Sequence, residues 1–314
     1  MIALRRYSSL VLLASILFSC STWAKADDRD VVVTPQNISK MQSLAQQGNA
    51  EAMFQLGRAY QRGVAAPGDD VEAVKWWQQA ATLGNSNAEY RLGNMYHDGK
   101  GVKQDDHLAV RWWRGSSNHG NSHGQALLAM AYHLGLGGLP QDDTKSFELL
   151  EKAADQGFST AEAALGSMYY KGLSVPKNSV EAIKLWRKAA EQHDGMALSY
   201  LGIAYHDGDA VPRDDVEAVK CWREAAEYGH SVGLAELGSA YFAGWGGLKI
   251  DYLQAYVWLT LAAHREKRPS ERAKVLALIS ADEKVLTKQQ IAAADSIVKT
   301  WKPQSPIEDV QSAQ

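Results

Sequence analysis

The side chains with most chemical reach in this sequence are nine histidines, two cysteines, and two serines that each have a lysine three residues on. Serine and lysine at that spacing open the acyl-transfer site of penicillin-recognising enzymes, where a neighbouring base draws the proton from the serine hydroxyl. Ser174-Val175-Pro176-Lys177 falls in a proline-containing loop, and Ser296-Ile297-Val298-Lys299 falls in a terminal helical segment. Neither is accompanied by a Ser-Asp-Asn or Lys-Thr-Gly segment, so both read as chance spacings. A metal site needs several ligands converging on one point. His97-Asp98 and His206-Asp207 recur at one repeat position, which common ancestry of the repeats explains. His119 and His123 stand four apart, but Gly120-Asn121-Ser122 between them reads as a turn. No cysteine cluster accompanies them. No catalytic residue, metal site or cofactor is therefore assigned, and the chain reads as a non-enzyme.

The elements that would position these groups start after a leader. Met1 to Ala26 reads as a signal peptide: Arg5 and Arg6 supply positive charge, Leu10 to Phe18 is an apolar core too short to span a bilayer, and Ala24-Lys25-Ala26 offers a small-x-small cleavage point. The expected product is periplasmic or secreted and starts at Asp27. Leu17-Phe18-Ser19-Cys20 is a lesser alternative, a lipoprotein box with bulky Phe18 before the serine. Without Arg5, Arg6 and Lys25 the charge is 30 Lys+Arg against 36 Asp+Glu, or −6. An acidic balance of this size argues against nucleic acid and against a basic membrane-binding face. No later stretch is apolar enough for a transmembrane helix. Cys221 is then the lone thiol and forms no internal disulfide, so packing alone must hold the fold.

A regular period organises that packing. Leu-Gly-x-x-Tyr recurs at Leu56, Leu92, Leu165, Leu201 and Leu237, with a weaker Leu-Ala-x-x-Tyr at Leu128; the leucines are 36, 36, 37, 36 and 36 residues apart. A small residue four before the leucine (Ala52, Ala88, Gly124, Ala161, Ala197, Gly233) completes an i, i+4, i+8 helical face. Glycines at 63, 99, 135, 172, 208 and 244 mark where each first helix stops in a left-handed residue. Asp69, Asp105, Asp142, Asn178, Asp214 and Asp251 suit the N-cap of each second helix. The second helices carry Trp76-Trp77, Trp112-Trp113, Leu149-Leu150, Leu185-Trp186, Cys221-Trp222 and Trp258-Leu259, followed by small pairs such as Ala80-Ala81. Small faces large, as dense packing demands. The third repeat departs most, with Ala129 for glycine and Leu149-Leu150 for tryptophan. His193 stands where a linking glycine is expected.

With some ten positions recurring over six repeats, the chain resembles the Sel-one-like repeat (SLR) family, a branch of the tetratricopeptide-like α-solenoids. The resemblance implies an all-α, right-handed α-α superhelical solenoid with repeats at 48–83, 84–119, 120–156, 157–192, 193–228 and 229–263. Residues 27–47 supply an N-terminal segment and capping helix, and 264–302 supply C-terminal capping helices. Ser270 suits the N-cap of the first of these, and Thr287 with Gln290 forms a capping-box pattern for the second. Residues 303–314 read as a disordered tail. The family likeness also implies a monomeric scaffold that binds protein or peptide partners on its concave first-helix wall. By analogy with tetratricopeptide arrays, the best wall positions are Tyr90, Asn94, His97, Met130, His133, Ser167, Tyr170, Ile203, His206 and Phe242. Trp245, in a loop, is the one tryptophan expected to be exposed. Cysteine-rich members of the family have been linked to β-lactams, which implies an alternative: a binder or weak hydrolase of peptidoglycan fragments or β-lactams. The paired cysteines of those members are absent here.

Overall fold

The computed structural model describes residues 33–34, 36–64, 68–266, 269–282 and 285–304, with the side chains of 281 and 282 left aside. The leader, Cys20 and the cleavage point at Ala26 lie outside the described residues. Among those described there are fifteen α-helices, two short 3-10 turns and no strand. They group into two compact units, one ending at Ala161 and the other starting at Glu162.

In the first unit α1 (Ile38–Gln46) packs on α2 (Ala50–Arg62). Three hairpins follow: α2 with α3 (Asp70–Thr82), α4 (Ser86–Asp98) with α5 (Asp106–Asn118), and α6 (Ser122–Leu134) with α7 (Asp143–Asp155). α8 (Ser159–Lys171) carries the unit boundary. In the second unit α9 (Ser179–Ala190) packs on α10 (Gly195–Asp207). Next come the hairpins of α10 with α11 (Asp215–Glu227) and of α12 (Ser231–Ala243) with α13 (Tyr252–Arg265). α14 (Pro269–Asp282) and α15 (Lys288–Thr300) both cover α13. The fold class expected from the sequence, an all-α array of helix pairs with helices added at the ends, is what the chain adopts.

Local chemistry explains the boundaries. Asp69, Asp105, Asp142, Asn178, Asp214 and Asp251 each accept a backbone N–H from the first turn of their second helix. Asn49, Asn85, Asn121 and Asp194 do the same for first helices. Thr287 and Gln290 form a reciprocal capping box. α14 starts at Pro269, which puts Ser270 inside its first turn, because proline's fixed φ and missing N–H suit a first helical position. Pro303 and Gln304, expected in a disordered tail, are held against α11: Gln304 N–H donates to Glu227 O at 2.7 Å. Residues 305–314 lie outside the described residues.

The core is a set of glycine–tryptophan interlocks. A Cβ built on Gly57, Gly93, Gly166 or Gly202 would stand 2.3–2.7 Å from the indole of Trp77, Trp113, Trp186 or Trp222 respectively. These four tryptophans are fully buried. Their N–H groups stay satisfied: Trp77, Trp186 and Trp222 donate to the carbonyls of Phe54, Ala163 and Ser199, and Trp113 donates to Asn94 Oδ1. Where the third repeat replaces the glycine with Ala129, the second helix carries the smaller Leu150, also fully buried. The departure in sequence is thus a matched exchange of volume.

Candidate functional site

The wall expected from the sequence divides sharply by position. Tyr90, Asn94, Met130, Ser167 and Ile203 are buried. They present no side chain to a partner, and this corrects their assignment. First helices are covered on all sides, from Ala52 to Ala59 and from Ala88 to Met95 without a break, because rows of Ala, Gly and Ser let neighbours approach from every side. Tyr90 stacks on the His123 ring at 4.7 Å, and Ser167 Oγ donates to Ala163 O at 3.0 Å.

The positions five beyond the repeat leucine behave differently. His97, His133, Tyr170, His206 and Phe242 all sit half-buried at the C-terminal ends of their first helices. Each histidine is held from the next helix: His97 by Asp106 at 2.6 Å, His133 by Asp143 at 2.5 Å, and His206 by Asp215 at 2.8 Å, always through Nδ1. The adjacent Asp98 and Asp207 are not the partners. Phe242 instead meets Tyr252 edge-on at 5.4 Å. The holding residue is in each case the first of the second helix. Pairing the two columns by repeat, with His always opposite Asp, is the signal that would have found it.

In the second unit this row is richest. His206 lies 5.6 Å from Trp222 and 4.2 Å from Trp245, centroid to centroid. Trp245, expected to be exposed, is half-buried by those contacts. Lys177 sits 5.0 Å over the Tyr170 ring and pairs with Asp209 at 3.2 Å. Burial, then the Asp209 charge, pushes the Tyr170 hydroxyl pKa above its ordinary value. The Arg213 guanidinium grips Asp215 at 2.9 Å, and its bond, with that of His206, draws the Asp215 carboxyl below its usual range against the cost of burial. A planar ring that keeps an edge in solvent, flanked by fixed charges, can stack on and hydrogen-bond to a peptide.

No metal cluster of three or more His, Cys, Asp or Glu forms among the described residues. Lys177 is engaged with Asp209 and Tyr170, and Ser296 lies within α15. No described helix is long and apolar enough to cross a membrane.

Helix pairs fixed by buried interlocks define an α-helical repeat protein. Six Sel1 repeats match at 50–85, 86–121, 122–158, 159–194, 195–230 and 231–266, and the chain belongs to the Sel1 repeat family. Among solved structures, it is similar to a Sel1 repeat protein from Oxalobacter formigenes, with 24% identity and a TM-score of 0.67, over 74% of this chain and 94% of that one. A second match is c5321, a protective antigen of uropathogenic Escherichia coli with an SLR fold, at 25% identity and a TM-score of 0.46, over 87% of this chain and 76% of that one. No curated protein matches the chain.

Proposed function

We propose that this protein is an exported, monomeric, non-catalytic scaffold that holds protein or peptide partners against Tyr170, His206, Trp245 and Phe242. Sel1 repeat proteins in general mediate protein–protein interactions. What supports this surface is one observation: His206 is locked between Asp215 and two tryptophans and still keeps part of its ring in solvent. Rings fixed before binding lose little conformational freedom when a partner arrives.

Proximity labelling with the native protein and with Tyr170→Ala/Phe242→Ala tests the surface, with circular dichroism as the check on fold. The double variant is expected to lose the partners that the native chain labels. An unchanged partner set from the folded variant sinks the assignment. Export rests on the leader at residues 1–26. N-terminal sequencing of the mature protein is expected to start at Asp27; a lipid-modified start at Cys20 would replace release by anchoring, and an intact Met1 would remove export altogether.

A further inference from the structure

A buried acid in the sixth repeat stands without a partner. Glu236, in α12, is 2% exposed, and its Oε1 makes no hydrogen bond. Burying a carboxyl group in this state costs stability. The repeat itself does not require one: the residue just before the repeat leucine is Leu127, Ala164 or Tyr200 in three other repeats, each fully buried. Asp207, exposed at the last residue of α10, is unmatched too. The neighbouring cations are taken by other carboxylates, His206 and Arg213 by Asp215 and Lys177 by Asp209. The Asp207 side chain makes no hydrogen bond or ion pair among the described residues.

Charge links the two acids to each other and to the ring row. Burial first, then the Asp207 charge, raises the Glu236 pKa to about 8. Asp207 also acts on the Tyr170 hydroxyl, after burial and Asp209. Tyr170, Asp207 and Glu236 come from α8, α10 and α12, three successive first helices, and all three residues lie in the second unit. With Asp207 at the surface and Glu236 under cover, the acidity runs from solvent into the fold. Among the described residues these side chains are not grouped to ligate a metal ion. Two carboxyl groups beside aromatic rings complement an organic cation instead.

We propose that an arginine of the protein or peptide partner seats its guanidinium between Asp207 and Glu236, beside Tyr170. This names the partner's chemistry at the ring row proposed above, and it rests on that reading. A guanidinium offers five N–H donors in a planar fork, so it can bond two carboxyl groups while its face lies on a ring. At pH 7 the Glu236 carboxyl holds a proton. An arriving guanidinium favours the carboxylate, so that proton passes to the solvent as the cation enters. Among the described residues, Asp207 is the charged group that acts on Glu236 from the helices packed against α12, which are α10, α11 and α13.

Calorimetric titration of the full chain with a tetra-arginine peptide, blocked at both ends, tests this on variants that circular dichroism shows to be folded. Asp207→Asn/Glu236→Gln is expected to weaken binding about 10-fold or more, whereas Glu148→Gln/Glu151→Gln, which removes two exposed carboxylates from α7, should change it by less than about 2-fold. Tetra-lysine should bind at least about 5-fold more weakly than tetra-arginine. Apparent enthalpies in phosphate and in Tris at pH 7 should differ by the release of about 0.9 proton from the native chain, and of none from Glu236→Gln. Equal weakening by the two double variants, equal affinity for the two peptides, or no proton release from the native chain would each overturn the proposal. Proximity labelling separates it from the reading beneath it. Partners kept by Asp207→Asn/Glu236→Gln but lost by Tyr170→Ala/Phe242→Ala would overturn the arginine seat and leave the ring row standing.

Discussion

Gly202 and Trp222 form one interlocking unit: a Cβ on the glycine would stand 2.3 Å from the indole nitrogen, and that nitrogen donates to Ser199 O at 3.2 Å. Gly202→Ala must therefore displace a fully buried tryptophan, and overpacking of this kind costs about 1–3 kcal/mol. Trp222→Leu alone opens a void and costs about 3 kcal/mol. The third repeat already combines Ala129 with Leu150, so the double variant is expected to lose less than the sum by at least about 1 kcal/mol. Urea midpoints of the four proteins decide it. Losses that simply add would show that the glycine and the tryptophan are not a coupled pair.

How far the sequence could be read follows from which residues speak for their own surroundings. Asp105 and Asp142 were recognisable as caps because a capping side chain bonds to a backbone N–H two or three residues along. Gly63 and Gly99 were recognisable as helix ends because their left-handed backbone, at φ 74° and 67°, suits glycine. The wall was not legible in the same way. Asn94 and Met130 are polar or flexible enough for a surface, and only the helices packed across them bury them. The bond from Trp113 to Asn94 is a contact that no local pattern announces. His97 pointed to its neighbour Asp98, whereas its partner Asp106 stands behind a capping aspartate nine residues on. His193, read as an anomaly in a glycine column, does adopt the glycine backbone, at φ 57°, with its ring held by Glu224.

His123 makes the first unit sensitive to acid. Its ring is sandwiched between Tyr90 at 4.7 Å and Phe158 at 4.6 Å, and burial, with the Arg91 charge, lowers its pKa to about 4. A folded pKa below the unfolded value of 6.5 means that the unfolded chain binds the proton more readily. The stabilisation is complete above pH 6.5 and is lost as the pH falls towards 4, by about 3 kcal/mol in all. His123→Phe keeps the stack and removes the titration. Relative to that variant, the native chain is expected to weaken by about that amount between pH 7 and pH 4 in urea unfolding. Parallel pH profiles for the two proteins would refute this reading.

Glu236 imposes the opposite slope on the second unit. The side chain is buried in α12 with Oε1 lacking a hydrogen-bond partner, and burial, reinforced by Asp207, raises its pKa to about 8. The folded chain therefore holds a proton that the unfolded chain releases near pH 4.5. Stability from this group is complete below that point and falls by about 1.4 kcal/mol per pH unit up to pH 8. Glu236→Gln keeps the shape without the charge. It is expected to match the native protein at pH 4.5 and to exceed it by several kcal/mol at pH 8. Thermal unfolding at the two pH values measures the gap, and a gap that does not widen with pH would dismiss the buried acid as its source.

Ala210→Gly tests what a left-handed alanine costs the fold. At φ 60° alanine is in a left-handed conformation that glycine adopts without steric cost, and the substitution is expected to stabilise the fold by about 1 kcal/mol. The melting temperature is therefore expected to rise. A variant that gains no stability would show that the left-handed backbone at residue 210 costs the fold nothing.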